Sequence, residues 1–299
     1  MGSFTKDLQT VARGWRWTHR PLVPRSVEPP GARPRDFPTA WARTDTGRAA
    51  RAFLQRYALS PLIRAEVSPK VHGLDALTDL RPPVIFVANH TSHLDAPLVL
   101  TTLPPAWRER TATGAAADYF FDVWWRATAT ALVFNAFPVE RAGGKGRATR
   151  LAGELLAEGW NLLVFPEGTR SHDGWARQFR QGASRLALEC GIPVVPIAIR
   201  GSYQAMPRGK GWPIRGRPPV HVRYGRPVRP GQDEDVHAFT ARVRTGLAIT
   251  LKEDRTTWWE ALRDGTEAAS AIAGPEGARW RRIWEASRPM PRRERAFRR

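Results

Sequence analysis

Short apolar runs alternate with amphipathic segments along the middle of the chain. The runs that predict buried strands lie at residues 84–88, 162–165, 194–199 and 219–224. Helical periodicity lies between and after these runs, near residues 94–103, 119–134, 146–158, 181–190 and 233–252. Because strands that alternate with helices are typical of an α/β fold, we expect a mixed, mostly parallel β-sheet flanked by helices.

Amphipathic helices are predicted before this region. Residues 1–20 place four apolar side chains, from Phe4 to Trp15, at helical spacing among basic residues. This pattern indicates either a helix on a membrane surface or a helix packed on the protein. Prolines crowd residues 21–38 and predict an extended linker, after which helical periodicity returns at residues 41–64.

These patterns predict three parts of the chain. Residues 1–48 form the basic amphipathic helix and the proline-rich linker, and residues 49–252 form the α/β domain. Residues 253–299 place tryptophans among arginines and predict a helical segment followed by a basic tail. We expect this tail to be a solvated end rather than a specific site.

The formal net charge of +19 predicts attraction to polyanions. Lysine is scarce, so arginine carries nearly all of the positive charge. Arginine pairs with phosphate through a two-pronged fork, although a skewed genomic base composition would also enrich it. The charge therefore indicates an anionic lipid surface or a nucleic acid as partner without choosing between them.

A cytoplasmic, membrane-associated protein is expected from the cysteine content and hydropathy. Cys190 is the sole cysteine, which excludes an intramolecular disulfide and fits a reducing compartment. The first ten residues lack the apolar core of a signal peptide, and Asp122 and Arg126 interrupt the most apolar stretch, residues 120–137. We therefore expect no signal peptide, no transmembrane helix and a peripheral position on the cytoplasmic face of the membrane.

A histidine and an aspartate follow the first predicted strand. Residues 89–95 are Asn-His-Thr-Ser-His-Leu-Asp and come directly after Ala88. His90 therefore falls in a strand-to-helix turn, and Asp95 falls in the first helical turn. A carboxylate there can accept a hydrogen bond from one imidazole nitrogen and stabilise the imidazolium, which makes His90 a candidate general base.

Two other interpretations of this turn stay open. Asp95 or Ser92 could simply cap the helix, with His90 as an ordinary turn residue. Alternatively, His90, His93 and Asp95 could bind a metal ion, but the remaining histidines show no complementary spacing that would complete a ligand set. We therefore expect no metal.

The second polar motif, Phe-Pro-Glu-Gly-Thr-Arg-Ser at residues 165–171, also follows a predicted strand. Gly168 allows a close backbone approach, Thr169 adds a hydroxyl and Arg170 offers a bidentate fork. Together they suit a phosphate or pyrophosphate group. An ordinary Pro/Gly turn is the competing interpretation.

In combination, these motifs resemble the PlsC-type family of glycerolipid acyltransferases, which includes the 1-acyl-glycerol-3-phosphate acyltransferases. The family's His-x4-Asp block matches residues 90–95, and its Phe-Pro-Glu-Gly-Thr-Arg block is unchanged at residues 165–170. Residues 137–141 match another block loosely, with Pro138 where the family usually has a non-proline residue. The Val/Ile-Pro-rich strand at 192–197 matches the last block.

The resemblance covers about residues 70–225 and implies a fold like that of glycerol-3-phosphate acyltransferase, with residues 49–252 as the acyltransferase domain. It implies that His90 deprotonates the acceptor hydroxyl and that Asp95 orients His90. The residues implied to surround the phosphate and glycerol of the acceptor are Arg141, Glu167, Gly168, Thr169 and Arg170. Glu167 is expected to hold an arginine or a glycerol hydroxyl, since it would repel the phosphate.

The implied activity is transfer of a fatty acyl group from acyl-CoA or acyl carrier protein to 1-acyl-glycerol-3-phosphate, giving phosphatidic acid. Direct transfer from a thioester needs a base but no cofactor, and the chain has no Gly-x-Ser-x-Gly elbow. Another lysophospholipid or a glycolipid is an alternative acceptor. A non-enzymatic protein that binds membrane or nucleic acid is a further alternative, which would explain the net charge but would leave the two polar motifs as a coincidence. The expected partners are thus an anionic membrane surface, the lysophospholipid acceptor and the acyl donor, without nucleic acid.

Overall fold

The computed structural model describes residues 37–140, 146–265 and 271–288. The predicted helix at residues 1–20, nearly all of the proline-rich linker, Arg141 and the basic tail after residue 288 lie outside these ranges. The predicted boundaries at residues 48 and 252 stay predictions.

Seven strands of the described residues form one sheet. They are β1 (Ser68–His72), β2 (Ile85–Ala88), β3 (Thr111–Ala116), β4 (Ala136–Val139), β5 (Asn161–Val164), β6 (Val194–Arg200) and β7 (Pro219–Tyr224). Their order across the sheet is β1-β7-β6-β2-β5-β3-β4. Neighbours run parallel except β6 and β7, which are antiparallel with Ile197 opposite Tyr224. The predicted α/β fold with a mixed, mostly parallel sheet is confirmed.

Helices connect and flank these strands. They are α1 (Asp45–Leu54), α2 (Ser60–Glu66), α3 (Asp95–Thr102), α4 (Pro105–Glu109), α5 (Ala117–Phe120), α6 (Trp124–Phe134), α7 (Arg147–Ala157), α8 (Gly182–Cys190), α9 (Ser202–Ala205), α10 (Val236–Glu253), α11 (Trp258–Arg263) and α12 (Arg279–Ala286). A π-helical turn, Gln55–Leu59, joins α1 to α2. Within the described ranges, no helix has both the length and the apolar composition needed to cross a bilayer.

Both faces of the sheet are buried under helices. Phe86 and Ala88 of β2 pack in one apolar cluster with residues of α2 and α3, whereas Ile85 and Val87 pack in the opposite cluster with residues of α7, α8 and α10. Side chains alternate between the faces of a strand, so a strand covered on both faces is apolar throughout. This burial explains why the apolar run at residues 84–88 correctly predicted β2.

The sequence patterns did not predict β1, β3 or β4. Small residues make up β3, and both β1 and β4 contain a proline, which weakens the strand signal. These strands are specified by their partners: Thr113 of β3 lies opposite both Ala136 and Leu163. Their positions depend on contacts that join distant parts of the chain.

Two predicted helices are interrupted in the structure. The predicted helix at residues 119–134 is divided between α5 and α6, and the Asp122 side chain between them accepts hydrogen bonds from the Val123 amide and the Arg126 guanidinium, both at 2.9 Å. The segment 41–64 is interrupted at the π-helical turn, where Gln55 donates to the Val133 carbonyl at 2.7 Å. Asp122 thus satisfies donors at the interruption itself, whereas Gln55 binds a carbonyl in the last turn of α6.

Candidate active site

The turn between β2 and α3 holds His90 against Asp95. Since β2 ends at Ala88 and α3 begins at Asp95, both side chains lie beyond the carboxyl end of a central strand, where ligands bind in open α/β sheets. The Nδ1 atom of His90 lies 3.0 Å from Oδ2 of Asp95. The contact predicted between this imidazole and this carboxylate is present.

Asp95 also organises the backbone of the turn. Its fully buried carboxylate accepts, through the same Oδ2 atom, the backbone amides of Thr91 at 2.7 Å and Ser92 at 2.8 Å. Of the alternatives that the sequence left open, the structure favours orientation of His90, because the amides that Asp95 binds precede α3 and the N-cap residue of α3 makes no side-chain hydrogen bond. A carboxylate held by backbone donors keeps a fixed position, so it also fixes the imidazole.

The other ring nitrogen of His90 is available to a ligand. An ionised carboxylate only accepts hydrogen bonds, so Asp95 assigns the proton to Nδ1 and leaves the lone pair on Nε2. The ring stacks on Phe165 with 4.2 Å between centroids, and 19% of the His90 side chain is exposed. Among the described residues, Nε2 has no hydrogen-bond partner. This geometry suits a general base.

Glu167 joins the two predicted motifs. Its Oε1 atom accepts the backbone amide of His90 at 2.8 Å, and its Oε2 atom accepts the backbone amide of Arg177 at 3.0 Å. Burial raises the pKa of Glu167 to about 8, although both amide hydrogen bonds act in the opposite direction. The carboxyl group is thus placed between two loops, whereas the sequence analysis expected it to hold an arginine side chain or a glycerol hydroxyl.

The loop after β5 contacts two arginines from later in the chain, Arg180 and Arg208. Gly168 has a φ of +70°, and a Cβ there would lie 2.6 Å from Nε of Arg180. The next two residues are Thr169 and Arg170, both partly buried. The carbonyl of Arg170 accepts a hydrogen bond of 3.1 Å from the Arg208 guanidinium. Glycine is therefore required by the left-handed backbone conformation, whereas the flexible Arg180 side chain could move away from a Cβ.

Sequence reasoning did not single out Arg180 or Arg208 as site residues. Arg208 follows β6 by several residues and has no motif around it, so only the folded chain reveals its position. Arg141, which the sequence analysis placed at the acceptor phosphate, lies outside the described residues. Its role stays a prediction.

His93 is a neutral neighbour of the site. Its ring stacks on Tyr119 with 5.7 Å between centroids. Burial, followed by the positive charge of Arg170, lowers the pKa of His93 to about 4. A neutral imidazole in an aromatic contact suits packing.

Hydrogen bonds connect the loop after the second motif to the His90 turn and to the C-terminal helix α12. The amide of Ser171 donates to the His90 carbonyl at 2.8 Å, and the Ser171 hydroxyl lies 3.0 Å from the Asp173 carboxylate. Asp173 in turn pairs with Arg282 of α12 at 2.6 Å. A chain of hydrogen bonds therefore leads from the C-terminal helix to the backbone of His90.

A second group of ionisable side chains lies beside the sheet, away from His90. The His72, His221 and Asp254 ligand atoms lie within 4.8 Å of one another, and of the described residues only these three form such a cluster. However, Asp254 accepts a hydrogen bond of 2.8 Å from Arg200. Burial raises the pKa of Asp254, but the His221 hydrogen bond and the nearby cations lower it to about 2. Because Asp254 already pairs with a guanidinium, we interpret this group as a structural ion-pair network.

The aromatic residues near α5 and α6 divide between core and surface. Phe121 is buried in a small apolar cluster with Ala115 and Ala127. By contrast, Trp124 is 67% exposed and Tyr119 is 38% exposed. Phe121 is therefore a core residue, whereas Trp124 is a surface residue.

Comparison with known proteins agrees with this geometry. The family model described as Acyltransferase matches residues 68–200. The chain is 32% identical over 183 residues to 1-acyl-sn-glycerol-3-phosphate acyltransferase BAT2 of Brassica napus, which covers 60% of this chain and 51% of the relative. It is 32% identical over 163 residues to lyso-ornithine lipid O-acyltransferase of Pseudomonas aeruginosa, and this alignment covers 52% of this chain and 57% of the relative.

A solved structure shares the fold. The crystal structure of the 1-acyl-sn-glycerophosphate acyltransferase PlsC from Thermotoga maritima superposes with a TM-score of 0.51 and 26% sequence identity, over 69% of this chain and 84% of PlsC. The chain spans about half the length of the first curated relatives it matches. The matched region contains both motifs and the central strands. Residues 68–200 therefore match the Acyltransferase family model, and the fold is similar to that of PlsC.

Proposed function

We propose that this chain is an O-acyltransferase that moves a fatty acyl group from a thioester donor to the free hydroxyl of 1-acyl-glycerol-3-phosphate, giving phosphatidic acid. One observation carries the proposal: the His90 imidazole, 3.0 Å from Asp95, lies next to a loop that presents Arg170. Several relatives are named for this acceptor, including proteins of Brassica napus and Arabidopsis thaliana.

In the proposed reaction, His90 Nε2 takes the proton of the acceptor hydroxyl as the oxygen attacks the thioester carbonyl. The imidazolium that forms is stabilised by the Asp95 carboxylate, which already accepts its Nδ1 proton. Collapse of the tetrahedral intermediate forms the new ester and breaks the carbon–sulfur bond. The leaving thiolate then takes the proton from His90, which returns the base to its starting state.

The basic side chains beside His90 suit the phosphate of the acceptor. Arg170 precedes Ser171, whose amide donates to the His90 carbonyl at 2.8 Å, and Arg208 donates to the Arg170 carbonyl at 3.1 Å, so both arginines belong to segments that contact the turn of the proposed base. We propose that Gly168, Thr169 and Arg170 bind the phosphate and glycerol, as the family motif implies. We keep Arg141 in the same role as a prediction.

Glu167 acts in this proposal as a positioning residue. Its carboxyl oxygens accept the amides of His90 and Arg177, so it holds the base and the phosphate-binding loop at a fixed separation. Correct separation of the two groups is worth a large part of the rate in a transfer between two bound substrates. No cofactor enters the proposed reaction beyond acyl-CoA or acyl carrier protein as co-substrate.

We propose that the protein binds the surface of an anionic membrane from the cytoplasmic side. A net charge of +19 supports attraction to anionic lipids. Exposed aromatic side chains support interfacial contact: Phe53 and Tyr57 are each 62% exposed and Trp124 is 67% exposed. Because the acceptor and the product are lipids, a surface-bound enzyme can exchange both with the bilayer.

Product identification tests the proposed function. Purified protein is incubated with labelled acyl-CoA or acyl carrier protein and with a panel of lysolipids, and the products are identified by mass spectrometry. We expect phosphatidic acid from 1-acyl-glycerol-3-phosphate at a rate well above that for acceptors without a phosphate monoester. Failure to acylate any lysolipid, combined with strongly salt-dependent nucleic-acid binding, would instead favour a non-enzymatic basic protein.

A second acceptor class has specific support. The Pseudomonas aeruginosa relative is named as a lyso-ornithine lipid O-acyltransferase and is 32% identical to this chain. The same base would serve either acceptor, since both reactions acylate a lipid hydroxyl. Preferential acylation of another lysolipid in the panel would keep the mechanism and change the substrate.

A further inference from the structure

The C-terminal helix α12 is fixed to the protein by one of its faces. Arg282 donates to the Asp173 carboxylate at 2.6 Å and to the carbonyls of Ala273 at 2.7 Å and Pro275 at 2.8 Å. Trp175 donates to the Arg282 carbonyl at 3.0 Å. These contacts hold α12 in one orientation, so the direction of its other side chains is set.

The outward face of α12 combines tryptophan with arginine. Trp280 is 72% exposed and Trp284 is 55% exposed, and residues four apart lie on the same side of a helix. The Arg288 guanidinium lies 4.6 Å from the centre of the Trp284 ring. Residues 279–288 contain four arginines and one glutamate. Large apolar side chains next to cationic side chains are typical of helices that lie at a membrane interface.

The location of α12 places this face beside the proposed reaction site. Gln204, which follows β6, donates to the Ala286 carbonyl of α12. The exposed side chains of Tyr119 and Trp124 follow β3 instead. In the sheet, β2 and its His90 turn lie between β6 and β3. Exposed aromatic side chains thus occur on both sides of the site along the carboxyl edge of the sheet.

We propose that α12 is a lipid-docking helix that binds an anionic bilayer. Trp280 and Trp284 lie among the lipid headgroups, and Arg279, Arg281 and Arg288 bind the lipid phosphates. The positive charge of this segment complements an anionic lipid surface, and tryptophan favours the interfacial region. The proposal rests on the proposed function, since a lipid acceptor must enter from a membrane. The Asp173–Arg282 ion pair connects this docking face to the loop after the second motif, in which the Ser171 amide donates to the His90 carbonyl.

Vesicle binding by the full chain tests this assignment without requiring catalysis. Wild-type protein, the double variant Trp280→Ala/Trp284→Ala and the matched control Trp280→Phe/Trp284→Phe are sedimented with phosphatidylcholine vesicles with or without phosphatidylglycerol. We expect the alanine variant to lose at least about fivefold in partitioning to anionic vesicles, because interfacial apolar contact is removed. The phenylalanine variant should remain within about twofold of wild type, because it keeps aromatic contact area.

The arginines give a second, lipid-dependent readout. The variant Arg279→Gln/Arg281→Gln should bind anionic vesicles about tenfold more weakly while its binding to pure phosphatidylcholine changes little, since each cation near an anionic surface adds to affinity. Thermal unfolding of every variant should match wild type, because the substituted side chains are exposed. Unchanged vesicle binding by the alanine variant, an equal loss in the phenylalanine variant or an equal loss on both lipids for the arginine variant would each overturn the proposal.

Turnover separates this proposal from the proposed function. Acylation is measured with a short-chain monomeric lysophosphatidate and with the same acceptor class embedded in anionic vesicles. We expect the alanine variant to lose at least about fivefold more activity on the vesicle-borne acceptor than on the monomeric one. Absence of turnover by wild type on both acceptors would reject the proposed function, whereas equal losses on both acceptors would reject membrane docking by α12.

Discussion

The backbone amide of His90 donates a 2.8 Å hydrogen bond to the carboxyl group of Glu167, across 77 positions of sequence. The two residues follow β2 and β5, which are adjacent parallel strands with Phe86 opposite Leu163. Parallel neighbours end at the same edge of the sheet, so the two motifs meet there. The pairing of these strands thus decides the distance between the proposed base and the loop that we propose binds the phosphate.

Replacement of the proposed base tests its role directly. We expect His90→Ala to lower kcat at least about a thousandfold, because general base catalysis commonly contributes between a hundredfold and ten-thousandfold. The matched control is His237→Ala, an exposed histidine that lies 2.9 Å from Gln181 through its Nδ1 atom. Steady-state acylation rates provide the measurement, and comparable turnover by His90→Ala would remove this residue from the mechanism.

The charge of Asp95 can be tested without removal of its hydrogen bonds. In Asp95→Asn the amide oxygen can still accept from Thr91 and Ser92, but it no longer stabilises the imidazolium with a negative charge. We expect kcat to fall about a hundredfold or more with KM little changed, since the loss is confined to the transition state. A loss expressed mainly in KM would indicate that Asp95 acts on acceptor binding instead.

Glu167 predicts a dependence of stability on pH. Its pKa of about 8 lies above the ordinary value of 4.5, so the folded state favours the protonated carboxyl. The stabilisation is fully present below pH 4.5 and is lost as the pH rises through about 8. The lowered pKa of His93, from 6.5 to about 4, affects only the range below pH 6.5.

The thermal midpoint should therefore fall between pH 6.5 and about pH 9 in wild type and fall less in Glu167→Gln, which cannot ionise. Differential scanning calorimetry at several pH values measures both proteins. The amide of the Glu167→Gln variant offers one acceptor oxygen for the two backbone amides, so this variant should be less stable than wild type at pH 6.5. Parallel pH curves for the two proteins would contradict the assigned pKa.

Gly168 should tolerate no side chain. Its φ of +70° predicts that Gly168→Ala lowers the free energy of unfolding by about 1–3 kcal/mol, because an L side chain is strained in this conformation. The control Gly182→Ala should change it by less than about 0.5 kcal/mol, since no heavy atom lies within 4 Å of the new Cβ. Urea denaturation measures both, and equal effects at the two positions would show that the left-handed conformation of Gly168 has no energetic consequence.

Arg282 should stabilise the loop that contacts His90. Its side chain is 24% exposed and donates to Asp173 at 2.6 Å and to two carbonyls. We expect Arg282→Ala to lower the free energy of unfolding by about 2–4 kcal/mol, because the largely buried Asp173 carboxylate and two backbone carbonyls lose their hydrogen-bond donor. In a double-mutant cycle with Asp173→Ala, the two losses should be less than additive. Additive losses would show that the ion pair contributes little.

The strongest sequence signals were local ones. Strand β2 and the turn at residues 89–95 were correctly predicted, because a strand buried on both faces needs an apolar run and the polar motif follows it directly. The His90–Asp95 contact followed from their spacing in a strand-to-helix turn. Family resemblance added the acyl-transfer chemistry, which no periodicity could provide.

Tertiary structure decided the features that depend on distant partners. Small residues in β3 carry little strand propensity and are held by β4 and β5, and Glu167 binds backbone amides that no sequence spacing relates to it. Arg208 and Arg282 reach the site loops from later segments of the chain. The physical reason is the same in each case: a local pattern records which side chains must be buried, whereas the position of one loop against another is fixed by strand pairing and by hydrogen bonds formed only in the folded chain.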